Sequence, residues 1–334
     1  MTTTALRLCF LLVSLAAVLR LSNSAGAQSS ETSVKHPVQI VMKNVMYHYT
    51  EPIAVHIFRL QGQLLPTKAG AIVVFDDKNS FTLSLVSAEI AIDCRALAQV
   101  LNENVLSAAD APIKSLTIES RNNQLIIKGR FHQKGDVAFE TIGTLSANGD
   151  GRIRLHSEHV KAAHLPVKGL MDLLGVNLAE MINTRKIHGL AVEKDDLLID
   201  PQEILPPPRI QGKVTAVRLQ GSDIVQTFGS PQPPDFAAKQ AGNYIAFREG
   251  DVRFGKLTMF GSDLIMTDID QRDPFDFFLD HYREQLAAGY SKSTLDLGLR
   301  AHVVDYNKLH RHVPATAGKD SRVIGRRGES KAGD

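Results

Sequence analysis

The sequence has no tryptophan and only two cysteines, Cys9 and Cys94. Cys9 falls in an N-terminal targeting segment, which leaves Cys94 alone in the mature chain. An internal disulfide is thereby excluded, and cysteine usage says nothing about the redox compartment. An excess of one charge is also missing. Of 38 basic residues, Arg7 and Arg20 lie in the targeting segment, and without them the balance is 36 against 36 acidic. A neutral chain lacks the basic face that neutralises several phosphates, so nucleic-acid binding is not expected. Beyond the targeting segment no apolar run reaches the length of a membrane-spanning helix. A nucleophile elbow (G-x-S-x-G), a phosphate loop (G-x-x-x-x-G-K-[ST]) and a dinucleotide fingerprint (G-x-G-x-x-G) are all absent. The content of 43% hydrophobic and 22% charged residues is ordinary for a globular protein, which excludes a disordered, collagen-like or polytopic membrane chain.

Residues 1–27 read as a secretory signal peptide. Arg7 supplies the basic start, Leu8 to Leu19 the short apolar run, and Ala25-Gly26-Ala27 the small-x-small cleavage site. Cleavage is expected after Ala27, which places the protein in the periplasm or outside the cell. An uncleaved anchor is the alternative reading, because Arg20 sits inside the apolar zone.

Strand signals dominate the mature chain. Val38–Val41, Ile53–Leu60, Ala71–Phe75, Phe81–Ile92, Ser115–Glu119, Gln124–Phe131, Val137–Ser146 and Arg152–Leu155 alternate or run apolar between turn residues. Later strands are expected at Leu190–Glu193, Leu197–Ile199, Ile210–Leu219, Asp223–Phe228, Tyr244–Arg248 and Leu257–Thr267. Three helices stand out by period. Asp93 caps the first, Cys94 to about Leu106, with Leu97, Val100, Leu101 and Val105 on one face. The second, Val167 to Ile182, carries a stripe of Leu170, Leu173, Leu174, Leu178, Met181 and Ile182. The third, Phe275 to Ala288, starts after Asp273-Pro274 and stops at Gly289. Its stripe is Phe275, Phe278, Leu279, Tyr282 and Leu286, expected to pack on the strands from Leu257 to Thr267. A loose echo links Ile113-x-x-Leu116-x-Ile118-Glu119 to Ile187-x-x-Leu190-x-Val192-Glu193, each after a helix and each leading through a turn into a second strand.

These elements suggest a β-rich domain over 28–230, a Pro-rich linker over 231–243, a strand-and-helix extension over 244–312 and a disordered tail over 313–334. The tail holds Arg326-Arg327, but a short solvated terminus explains it without a partner.

Reactive chemistry has weak support in the residues. His156, His159 and His164 cluster, but on a strand running into a loop and without an H-E-x-x-H frame, so no metal is expected there. Asp268, Asp270, Asp273 and Asp276 invite calcium, yet the sixth loop position is Asp273 and the twelfth Leu279, where an EF-hand needs Gly and Glu. Cys94 opens a helix, where a thiol pKa can fall; with no base in view it reads as a small buried hydrophobe. No cofactor is expected. What remains is abundant apolar surface, which either packs a core or encloses a sheet-lined groove for an acyl chain.

Four segments carry a family resemblance: "IAIDCRALAQVLNENVL" from Ile90, "IKSLTIESRNNQLIIKG" from Ile113, "HLPVKGLMDLLGVNLAEMI" from His164 and "LLIDPQEILPPPRIQGKVTAVRLQG" from Leu197. Over about Glu89 to Phe228 the chain resembles the LmeA-like periplasmic phospholipid-binding family, which is related to tubular lipid-binding (TULIP) domains such as bactericidal permeability-increasing protein. The resemblance implies an α+β fold, a long curved, mainly antiparallel sheet wrapped around helices, and a lipid-holding groove. It brings no catalytic residues. The resulting expectation is an exported, non-enzymatic protein that holds or moves an acyl-chain lipid. Leu97, Leu101, Leu170, Leu173, Leu174 and Leu178 are the candidate lipid contacts, and a transient touch on a membrane surface is allowed. An envelope module with a filled core and a hydrolase built on His156–His164 are the alternatives.

Overall fold

In the computed structural model, residues 36–309 are described, except 110, 112, 132–135, 163–164, 168–188, 194–195, 231–240 and 297. They form one unit from Pro37 onward, and that unit is mostly β-sheet. The strands, in chain order, are β1 (Val38–His48), β2 (Ala54–Pro66), β3 (Val73–Val74), β4 (Phe81–Asp93), β5 (Ile113–Arg121), β6 (Gln124–Phe131), β7 (Val137–Ala147), β8 (Ile153–Ala162), β9 (Leu165–Val167), β10 (Leu190–Glu193) and β11 (Asp196–Ile199). They continue as β12 (Arg209–Gln211), β13 (Val214–Gln220), β14 (Asp223–Gly229), β15 (Tyr244–Glu249), β16 (Val252–Phe254), β17 (Leu257–Met259), β18 (Ser262–Asp268), β19 (Phe275–Phe278), β20 (Tyr290–Ser293) and β21 (Leu299–Val303). Short helices α1 (Cys94–Val100), α2 (Pro201–Ile204), α3 (Tyr282–Ala288) and α4 (Tyr306–Leu309) punctuate them.

A curled, largely antiparallel sheet runs in the order β13-β14-β4-β2-β1-β15-β18-β21-β20, with β12 added to β4 and β19 to β1. A second sheet runs β10-β11-β8-β7-β6-β5, with β9 on β8, and a small one runs β17-β16-β3. Strand β1 is the hub of the first sheet. Its inward residues are Ile40 and Met42 before Asn44, then Val45 and Tyr47 after it. Asn44 adopts a left-handed φ of 51°, and the inward parity of β1 changes across it while the register with β2 stays unbroken. At the same place β1 exchanges partners, from antiparallel β15 (up to Lys43↔Tyr244) to parallel β19 (from Val45↔Phe275). The Asn44 amide is held there by the side chains of Asn243 and His56.

The segment expected as an extension thus enters the first sheet directly: β15 lies beside β1. The expected helix wrapping is weak, since no α-helix among the described residues exceeds the seven residues of α1 and of α3. Helix α1 begins where its cap residue predicts, with the Asp93 carboxylate accepting from the amides of Arg95 and Ala96. It passes into a π-turn, Leu101–Val105. The second expected helix starts in strand, because Leu165–Val167 pairs with β8, and the rest lies outside the described residues. So do the segments expected as a signal peptide and as a tail.

The third expected helix is corrected. Phe275–Phe278 is strand, buried at all four positions, a 3₁₀ turn covers Leu279–His281, and the α-helix starts only at Tyr282. The reason is a side chain acting as a neighbouring strand. Gln285, fully buried, accepts from the Phe278 amide and donates to the carbonyls of Asp276 and Val304, while Asp305 accepts from the Asp276 amide. These contacts satisfy backbone groups of β19 that no ladder serves. Asp273 caps nothing here; its carboxylate binds Lys308. Phe278 packs on His48, His281 and Tyr306 rather than on the strands from Leu257. Those strands are two, β17 and β18. Likewise Ile210–Leu219 divides into β12 and β13, which pair with different neighbours, β4 and β14.

The two copies of the sequence echo become equivalent hairpins. β5–β6 and β10–β11 form the opposite edges of the second sheet, flanking β7 and β8 respectively.

Candidate functional site

One face of the second sheet is a hydrocarbon wall. Side chains alternate across a strand, so Leu116 and Ile118 of β5, Leu125 and Ile127 of β6, Phe139 and Leu145 of β7, Ile153 and Leu155 of β8, and Leu197 and Ile199 of β11 face the same way. Their register aligns them in rows, such as Ile118↔Ile127 and Leu145↔Leu155↔Leu197. Leu97 and Leu101 close over this wall, together with Ile92 at the end of β4 and Ile204 and Leu205 at the end of α2. The cavity between them is about 100 Å³. Asn102 fixes the closing segment: its amide donates to the Leu116 carbonyl and accepts from the Leu116 amide, so the π-turn is tied to β5 as a strand would be.

Polar groups in the lining are few: Thr141, Ser157 and Gln226. Thr141 and Ser157 are buried and hydrogen-bonded to each other, one hydroxyl donating to the other. Gly143 makes this possible. It lies opposite Ser157 at a bulge after Ile142, and a Cβ there would collide with the His156 carbonyl oxygen.

A second cavity of about 40 Å³ lies against the concave side of the first sheet, between Ile40, Leu60, Phe75, Phe81 and Phe228. It shares Ile92, Leu205 and Gln226 with the first cavity, so the two hollows abut. Tyr47 and Tyr49 line it as neutral phenols: burial pushes Tyr49 up to about 12, and burial together with neighbouring Tyr49 and Asp280 pushes Tyr47 well up.

Comparison with protein-family models, curated proteins and solved structures returns no match. The site therefore stands on its own chemistry.

Of the candidate contacts, Leu97 and Leu101 line the first cavity. Leu170, Leu173, Leu174 and Leu178 lie outside the described residues. Sequence reasoning missed the sheet wall from Leu116 to Ile199, although the period-2 alternation of β5 and β6 is visible there. His156 and the cavity face opposite ways, because His156 sits between Leu155 and Ser157 on β8. Its Nδ1 lies 2.6 Å from Asp196 on the outer surface. The side chains of His159 and His164 lie outside the described set. Cys94 is buried, and burial first, then the charges of Asp93 and Asp223, push its thiol up to about 11, away from reactive thiolate chemistry.

Among the described residues, the acidic group Asp268, Asp273 and Asp305 brings three carboxylates within 4.8 Å of one another. The Lys308 ammonium occupies the centre of this charge, bonded to Asp270, Asp273 and Asp305. Asp268 is pushed up to about 7 by burial. No helix among the described residues is long and apolar enough to cross a membrane.

Proposed function

We propose that this chain is an exported, non-enzymatic lipid-binding protein of TULIP-like type, which holds or moves an acyl-chain lipid in the cell envelope. The observation that supports this reading is the pair of abutting hollows lined almost wholly by Leu, Ile and Phe. Removing hydrocarbon from water yields about 0.8 kcal/mol per CH₂, so an acyl chain needs no charged partner to be retained. At about 100 and 40 Å³ the cavities admit only part of a chain. A longer one has to spread the walls, and Leu205, shared by both hollows, is where spreading joins them. A transient membrane contact belongs to the same reading. Leu257, beside Lys256, and the 75% exposed Phe260 stand at opposite ends of β17, and these exposed apolar side chains suit a lipid surface.

A filled-core envelope module is the second reading, favoured by the small volume of the two cavities. Native mass spectrometry and solvent extraction of the purified protein decide between them. Co-purifying lipid in stoichiometric amount is expected; a ligand-free chain that takes up no fatty acid on incubation overturns the binding function.

A further inference from the structure

Three polar side chains in the lining of the hollows are left without a partner. Tyr47 and Tyr49 border the second cavity, and Gln226 borders both. Among the described residues no group hydrogen-bonds to either phenol hydroxyl or to the Gln226 side-chain amide. In the first cavity, by contrast, Thr141 and Ser157 are bonded to each other. Tyr47 is only 5% and Tyr49 only 7% exposed. Neither hydroxyl is sealed among packed atoms, so each opens on free space, and the space their rings border is the cavity. Buried polar groups are as a rule paired, and one kept unpaired costs stability.

The positions of these groups follow from the strands that carry them. Tyr47 and Tyr49 lie two residues apart on β1 and share its inward face, with their rings edge to face at 5.2 Å. Gln226 lies between Ile224 and Phe228, both buried in the core. Alternation along β14 therefore puts an amide where a third hydrocarbon would complete the row, at the junction of the two hollows. Charge is absent: no residue lining either cavity is Asp, Glu, Lys, Arg or His. Lys78, which donates to the Tyr49 carbonyl, is already paired with Asp280. A carboxylate or phosphate drawn into these hollows would lose its hydration and find no free counter-ion. An uncharged oxygen would find two donors and an amide that both donates and accepts.

Resting on the lipid-binding function proposed for this chain, we propose that the hollows select an uncharged lipid whose oxygen is buried together with its chain, as in a long-chain alcohol or a neutral acyl ester. The hydrocarbon fills the first cavity and the oxygen enters the second. Tyr47 and Tyr49 donate to that oxygen, and the Gln226 amide meets it at the junction. Hydrocarbon burial supplies retention, and the three polar groups supply selection. An analogue without the oxygen leaves them unpaired, which is how a hydrogen-bonding site rejects a ligand that is otherwise the same shape. The two sources differ in their needs: an ester carbonyl takes a donor only, whereas an alcohol also requires an acceptor, which the Gln226 carbonyl provides.

The test incubates the delipidated full mature chain with dodecanol, methyl laurate, dodecane and, at mildly alkaline pH, sodium laurate. Retained ligand is extracted after gel filtration and counted by gas chromatography. The expected wild-type result is several-fold more dodecanol and methyl laurate than dodecane or laurate. Tyr47→Phe combined with Tyr49→Phe should bring the alcohol and the ester down to the level of dodecane and leave dodecane unchanged. Gln226→Leu should lower dodecanol more than methyl laurate. Because the hydroxyls serve no protein group, the tyrosine variant should melt no earlier than wild type; a lower melting temperature would reveal a structural partner and overturn the site. The wild-type ratios stand even where a variant fails to fold. Equal retention of all four ligands, a preference for laurate, or ratios unmoved by the variants overturns the selection and leaves the lipid-binding function standing. Retention of none overturns both.

Discussion

The hydroxyls of Thr141 and Ser157 lie 2.5 Å apart on a wall that is otherwise nearly all hydrocarbon. One hydroxyl donates to the other, so each oxygen has its partner across the strand pair. Thr141→Val or Ser157→Ala alone leaves one buried hydroxyl without its partner and should cost about 1–3 kcal/mol. The double substitution removes both and should cost less than the sum of the singles. A double-mutant cycle by urea denaturation measures this, and strict additivity would mean that water already serves the two groups.

Leu97 borders the first cavity and is 8% exposed. In a hollow, Leu97→Phe has room for its ring and should leave the melting temperature unchanged or raise it while lowering lipid content. In a filled core the same change overpacks and costs about 1–3 kcal/mol. Calorimetry and lipid extraction on one preparation separate the two.

Gln285 should be among the least replaceable polar residues. Gln285→Leu removes the partners of the Phe278 amide and of two carbonyls at once, and should cost at least about 3 kcal/mol. Phe278→Ala, at 4% exposure, should cost about 3–5 kcal/mol. If both are tolerated in a denaturant series, β19 is not anchored as described.

Stability should fall as pH rises through the range from about 4 to about 7. Asp268 ionises at its ordinary value near 3.8 when unfolded but only at about 7 in the fold, chiefly because it is buried. Between these values the unfolded chain has released the proton and the native state has not, which favours unfolding. Asp305 is shifted the same way by burial. Asp270 is held low by Arg272 and Lys308, so its contribution is lost in acid instead. Asp268→Asn keeps the acceptor for the Asp270 amide and should flatten the decline between pH 4 and 7. An unchanged pH profile in denaturant melts would remove Asp268 as its source.

Phe260 is an exposed side chain with little to lose on substitution. Phe260→Ser should leave the melting temperature unchanged and reduce association with anionic vesicles in co-sedimentation. Unchanged association would take Phe260 out of the membrane contact.

Much of the sheet is legible in the sequence because alternation is local. The wall strands β5, β6 and β7, the Asp93 cap and both echoed hairpins emerge from short-range pattern. The cavity is legible only at Leu97 and Leu101, where helical spacing names a face by itself. A strand shows two faces, and nothing local tells which one meets α1; that depends on the partner strands. The difference at Phe275 has a similar origin. Asp-Pro and Gly at helix-like positions frame that segment, but the edge of β19 is completed by Gln285 and Asp305, whose role exists only once the chain has folded back. Strand β20 is exposed at every position, so it offers no apolar pattern.

The place of β1 also fixes an order of events. Asn44 and Asn243, joined by a hydrogen bond, are 199 residues apart, and β15 and β19 reach β1 only from that distant stretch. Closing so long a loop adds little to the equilibrium cost, which grows slowly with length, but it delays folding. Until Tyr244 and its successors arrive, the β1–β2–β4 strands can pair among themselves while the far side of β1 keeps its donors and acceptors open. That interval presents an unfinished apolar edge to other chains. A chain cut before Tyr244 would stay in that state permanently, and aggregation rather than a smaller folded product is its expected fate.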